Sequence, residues 1–237
     1  MLNSRQSNPY SAADLFESVS GYLKFLSDIG YTGLDCSDKN FERIARWGQE
    51  SGKSGRSGAG LVNSLKKCRE CSLSKNPQAM VCGEGDPKAR LAIVGGAAGP
   101  DDMAAGNPYC GKAGDLLDKM LSAMGFSRDQ VYITRAVKCC PPDSQKPNPA
   151  DVKICRAYLE KELRLVRPQI ICAFGDIAAM SLLETSVPLS SLRGRFHDFN
   201  GMRVMPTFSP EHLLENPGTK RFAWEDLKLV IDMLAKK

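Results

Sequence analysis

The sequence is poor in the features that would place it in a membrane or outside the cell. No run in its 237 residues approaches the roughly 20 consecutive apolar residues of a membrane-spanning helix. The opening MLNSRQSNPYSAADLF lacks the charged-then-apolar order of a secretory signal. A cytoplasmic protein without a membrane partner is therefore expected. No internal repeat is visible. The loop Gly95-Gly96-Ala97-Ala98-Gly99 has neither the G-x-G-x-x-G spacing of a dinucleotide fingerprint nor the lysine–serine pair of a P-loop, which argues against a cradle for a free nucleotide. Charge of one sign is also scarce: 32 Lys and Arg against 27 Asp and Glu leave a net charge of +5. That balance permits a polyanion partner without requiring one. Nine cysteines, an odd number in a reducing compartment, argue against a disulfide framework and toward thiols or metal ligands.

What is present divides into three regions. Residues 11–48 carry helical spacing, with Leu15, Val19, Tyr22, Leu23 and Leu26 forming an apolar stripe. SGKSGRSGAG at 51–60 is too rich in Gly and Ser to bury anything. The expected organisation is a helical N-terminal extension over 1–50, a flexible linker over 51–60 and one domain over 61–237. In that domain the apolar runs at 89–96, 131–139, 169–175 and 202–208 alternate with helical stretches near 113–124, 149–166, 176–184 and 221–235. Asn148 and Pro149 mark the start of the second helix. Continuous apolar strands alternating with helices predict an α/β domain around a mostly parallel sheet. Ligands in such folds collect at the carboxyl ends of the strands, where the 95–99 loop lies.

Cys68 and Cys71 form a C-x-x-C pair. It precedes the first strand instead of opening a helix after one, which disfavours a thioredoxin-like role. Cys139 and Cys155 bracket a proline-rich loop and complete a candidate four-thiolate cage, with Cys140 competing for the third place. Ligand type alone does not separate zinc from an iron–sulfur cluster.

Several segments resemble, in order, the iron–sulfur (type four) uracil-DNA glycosylases. They are CRECSL at 68–73, VCGEGDPKARLAIVG at 81–95, GNPYCGKAGDLLDKML at 106–121, GFSRDQVYIT at 125–134 and KCCPP at 138–142. RPQIICAFG at 167–175, LRGRFH at 192–197, PEHLL at 210–214 and KRFAWEDLK at 220–228 complete the set. The resemblance implies a three-layer α/β/α sandwich and a [4Fe–4S] cluster on Cys68, Cys71, Cys139 and Cys155. It also implies DNA as partner and hydrolysis of the N-glycosidic bond of uracil or another deaminated base. A monomer is expected, with residues 1–50 available to a protein partner.

The same resemblance shows where the chain departs from the family. The first loop usually carries a water-serving glutamate, and here Gly96 stands in its place, beside Ala97. The stacking phenylalanine matches Tyr109, and the asparagine that reads the base matches Arg135, which offers donors but no acceptor. The histidine of the second loop is Ser209. Asp101 and Asp102 are candidates to supply a carboxylate, and also to cap the following helix or pair with Arg135. His212 is a candidate to reach the pocket from the second loop. Lys112, Arg193, Arg195, Lys220 and Arg221 are candidate phosphate contacts. Leu213 or Leu214 is a candidate wedge into the base stack. The alternative function is a catalytically inactive iron–sulfur DNA-binding protein of the same fold.

Overall fold

The structure is a computed structural model that describes residues 68–75, 80–142 and 146–236. The extension and linker expected over 1–60 lie outside the described residues. Six strands form one mixed sheet: β1 (Glu84–Gly85), β2 (Leu91–Ala97), β3 (Tyr132–Val137), β4 (Ile170–Phe174), β5 (His197–Phe199) and β6 (Met202–Thr207). Their order across the sheet is β1-β3-β2-β4-β6-β5. The four inner strands are parallel, and β1 and β5 close the edges antiparallel.

The inner strands are continuous apolar runs because helices cover both faces. Along β2, Leu91 and Ile93 face Leu117 and Leu121 of α2 (Gly111–Ala123) and Leu227 and Val230 of α7 (Lys220–Ala235). Ala92 and Val94 point the other way, onto Leu159 and Leu163 of α3 (Pro149–Val166) and Ala178 and Leu182 of α4 (Asp176–Leu183). This period-two alternation makes the three-layer α/β/α sandwich. Helix α3 begins where the sequence signals it: the Asn148 side chain accepts from the Ala150 N–H at 2.9 Å, and Pro149 takes the first turn. Among the described residues no helix is long and apolar enough to cross a membrane.

Short elements that the sequence did not signal sit at the ends of the inner strands. These are α1 (Pro100–Ala105), α5 (Leu189–Leu192) and α6 (Pro210–Glu215). With the edge strands β1 and β5 they are too short to display a period. Helix α1 follows β2 directly and α6 follows β6, so both stand over the carboxyl edge of the sheet.

Candidate active site

A cavity of about 940 Å³ opens at that carboxyl edge. Its wall includes Gly96, Arg135, Phe174, Ser209, Glu211 and His212. The first loop, the end of β3 and the second loop thus meet at one place.

Arg135 dominates the wall. It stands beside Gly95 in the β2–β3 register and is only 4% exposed. Its Nε donates to Asp102 Oδ2 at 2.8 Å, and its Nη1 donates to Glu211 Oε1 at 2.8 Å. The guanidinium carbon lies 3.6 Å above the centre of the Tyr109 ring. Burial works to lower the Arg135 pKa, but Tyr109, Glu211 and Asp102 together hold it above its ordinary value, so the group stays cationic. Tyr109 is buried, has a positive φ of 58° and meets Phe174 edge-on at 6.4 Å. Burial, then Glu211, raises its hydroxyl well above the ordinary pKa, and that hydroxyl has no hydrogen-bond partner among the described residues. A side chain at Gly95 would collide with the Tyr109 hydroxyl and the Arg135 guanidinium, which explains the glycine there.

Asp102, not Asp101, is the arginine's partner. Its Oδ1 accepts from Cys110 N–H at 2.8 Å and its Oδ2 from Gly99 N–H at 3.2 Å, besides the Arg135 bond. Asp102 sits in the first turn of α1 facing inward, while Asp101 is exposed. The expectation that Asp102 brings a carboxylate to water therefore meets a correction: three donors occupy this buried group. Position 96 is open. A Cβ there would come no nearer than 3.4 Å to Ile177, an ordinary contact. Ala97 is half-buried beside it.

Ser209 caps α6, its hydroxyl accepting from the His212 N–H at 3.3 Å. The His212 ring stacks on Phe208 at 4.8 Å, and its Nε2 is buried without a partner among the described residues. The histidine absent at 209 is thus replaced in the wall by one three residues on. Glu211, between them, carried no signal in the sequence. Its side chain is 43% exposed.

Residues 82–228 match the Uracil DNA glycosylase superfamily. The chain belongs to this family. It is 31% identical over 185 residues to the Type-4 uracil-DNA glycosylase of Archaeoglobus fulgidus, a match covering 75% of this chain and 93% of that one. The Type-4 uracil-DNA glycosylase of Thermotoga maritima is 33% identical over 177 residues, 73% of this chain and 92% of the relative. The Type-5 uracil-DNA glycosylase of Thermus thermophilus is 33% identical over 149 residues, 56% and 66% of the two chains.

Within this member of the uracil-DNA glycosylase superfamily the four cysteines come from three separate segments. Cys139 follows β3, Cys155 lies in α3, and Cys68 and Cys71 lie on a segment pinned to α3. The pins are Ser72, whose N–H and hydroxyl donate to Asp151 at 3.1 and 2.7 Å, and the Tyr158 hydroxyl on Glu70 at 3.0 Å. Burial, then Cys155, Cys71 and Cys68, pushes the Cys139 thiol up to about 12. The other three cysteines thus lie close enough to Cys139 to act on it. Among the described residues, no group of three or more His, Cys, Asp or Glu is placed to hold a single metal ion. Four soft sulfur donors drawn from three segments are the donor set that binds an iron–sulfur cluster, one thiolate at each iron. Cys140 lines the cavity instead.

The candidate DNA contacts separate. Lys112, Arg195, Lys220 and Arg221 are exposed. Arg193 is turned inward and donates twice to Asp226, at 3.0 and 2.9 Å, so its guanidinium is not offered to a phosphate. Leu213 is 2% exposed and packs inside, which removes it as a wedge; Leu214 is 43% exposed. His197 Nε2 bonds the Leu192 carbonyl oxygen at 2.9 Å and serves the edge of the sheet.

Proposed function

We propose that this protein hydrolyses the N-glycosidic bond between deoxyribose and uracil or another deaminated base in DNA. The observation that carries the proposal is the cavity of about 940 Å³ walled by the family's own loops, with a fixed cation beside a half-exposed carboxylate. Cleavage passes through an oxocarbenium-like sugar, and the departing base takes up negative charge. Arg135 supplies a permanent positive charge to that anion. His212 Nε2, buried and unpartnered, supplies a further hydrogen bond. Gly96 leaves space in the same wall for the attacking water. Phosphates meet exposed Lys112, Arg195, Lys220 and Arg221.

A [4Fe–4S] cluster on Cys68, Cys71, Cys139 and Cys155 belongs to the same proposal, and it would cross-link the 68–75 segment, the end of β3 and α3. Purified protein is expected to be brown and to lose its visible absorbance on Cys68→Ala; a colourless zinc protein contradicts the cluster.

The second reading, binding without excision, is favoured by the guanidinium that covers Tyr109, the ring on which a base would stack. One assay separates the two. Single- and double-stranded DNA carrying uracil, hypoxanthine or xanthine is incubated with the protein and searched for abasic sites. Release of a base supports hydrolysis, and tight binding without release leaves only the binding protein. On that second outcome, activity gained by Gly96→Glu with Arg135→Asn and Ser209→His would mark a disabled site.

A further inference from the structure

Arg135 and Glu211 leave unused polar atoms side by side. The arginine spends Nε on Asp102 and Nη1 on Glu211. Its Nη2 has no partner among the described residues, and Arg135 forms part of the cavity wall. Glu211 accepts through Oε1, and its Oε2 is likewise without a donor among the described residues. One donor and one acceptor therefore belong to two side chains that the 2.8 Å bond between Arg135 and Glu211 holds together. Asp102, 2% exposed in its side chain, anchors the pair from behind.

An imide edge places a carbonyl acceptor next to an N–H donor. A lone asparagine side chain can match it; a lone arginine cannot, because it has no acceptor. We propose that Arg135 and Glu211 together form a composite amide that reads the C=O/N–H edge of the base in this cavity, making both residues specificity-determining. The inference rests on the reading of the cavity as a base site. Uracil and hypoxanthine carry such an edge. Cytosine and adenine present an amine donor beside a ring-nitrogen acceptor, the reverse order. An asparagine amide can turn over to suit either order, but Arg135 is held by Asp102 and its polarity is fixed. A base of the wrong order leaves polar groups unpaired, which is how hydrogen-bonding sites reject analogues.

The test uses binding, so that it does not depend on hydrolysis. Duplexes carry one 2′-fluorinated deoxyuridine or deoxycytidine, whose glycosidic bonds resist cleavage, and affinity is read by fluorescence anisotropy at fixed salt. The full-length wild type is expected to prefer the uracil duplex by ~10-fold or more. Glu211→Ala removes the acceptor and is expected to narrow the preference to within about two-fold. Glu211→Gln keeps the size and the carbonyl on Arg135 but puts an amine where Oε2 stands, and it narrows the preference as far as the alanine does. A purely structural role for Glu211 predicts that the glutamine variant keeps the wild-type preference. The inference falls if the wild type shows no preference, or if either variant retains it in full. A preference without base release sinks hydrolysis and leaves this inference standing; base release with both variants unchanged does the reverse.

Discussion

Two arginines on buried carboxylates, Arg135 and Arg193, look alike in their bonds and differ in what they leave open. Arg193 donates to both oxygens of Asp226, which is fully buried, and to the Phe222 carbonyl oxygen at 2.6 Å. Thr207 donates to the same carboxylate at 2.6 Å. Phe208 and Phe222 flank the guanidinium at 5.6 and 5.2 Å. Apart from the outlying carboxylate of Glu225, 3.9 Å away and 57% exposed, the partners lie inside, and the cluster ties the loop after α5 to β6 and α7. Arg135 has an equally buried partner in Asp102, but its second partner is half-exposed and borders the cavity. The number of hydrogen bonds does not separate a structural lock from a site. The unused atoms of the partners do.

Mutations should pull the two clusters apart. The largest loss of stability is expected for Asp102→Ala, about 3–5 kcal/mol, because it strands the buried Arg135 cation and two backbone donors. Chemical denaturation measures it. Arg193→Ala leaves the buried Asp226 with the Thr207 hydroxyl but without its arginine counter-charge and is expected to cost about 3 kcal/mol, with the salt dependence of DNA binding unchanged. Lys112→Ala combined with Arg195→Ala should instead reduce the slope of log affinity against log salt by about 2, with little change in stability. Tyr109→Phe deletes a buried hydroxyl without a partner, so stability should hold or rise by about 1 kcal/mol. Glu211→Ala breaks a half-exposed bond and should cost less than about 1 kcal/mol. Its effect appears in base preference.

The sheet and its long helices were legible because β-branched apolar runs and capped amphipathic stretches repeat over enough residues to show a period. Edge strands β1 and β5, of two and three residues, carry no such period and were not anticipated. Positions 96, 135 and 209 were legible only through the resemblance, as departures from a pattern. Their partners were not. Asp101 and Asp102 are adjacent and chemically equal; the direction in which the first turn of α1 faces decides between them. Glu211 meets Arg135 across 76 positions in the chain, a contact that no local spacing encodes. Arg193 and Leu213 were misplaced for the converse reason: a basic or apolar residue near a loop gives no sign of whether the sheet edge will fold over it.

The most direct test follows the two arginines at once, by NMR of their side-chain Nε–H groups while non-cleavable uracil DNA is added. The account predicts that the Arg135 signal shifts with the uracil duplex and not with its cytosine counterpart, while the Arg193 signal stays in place with both. An unmoved Arg135 signal, or equal shifts with the two duplexes, would contradict it.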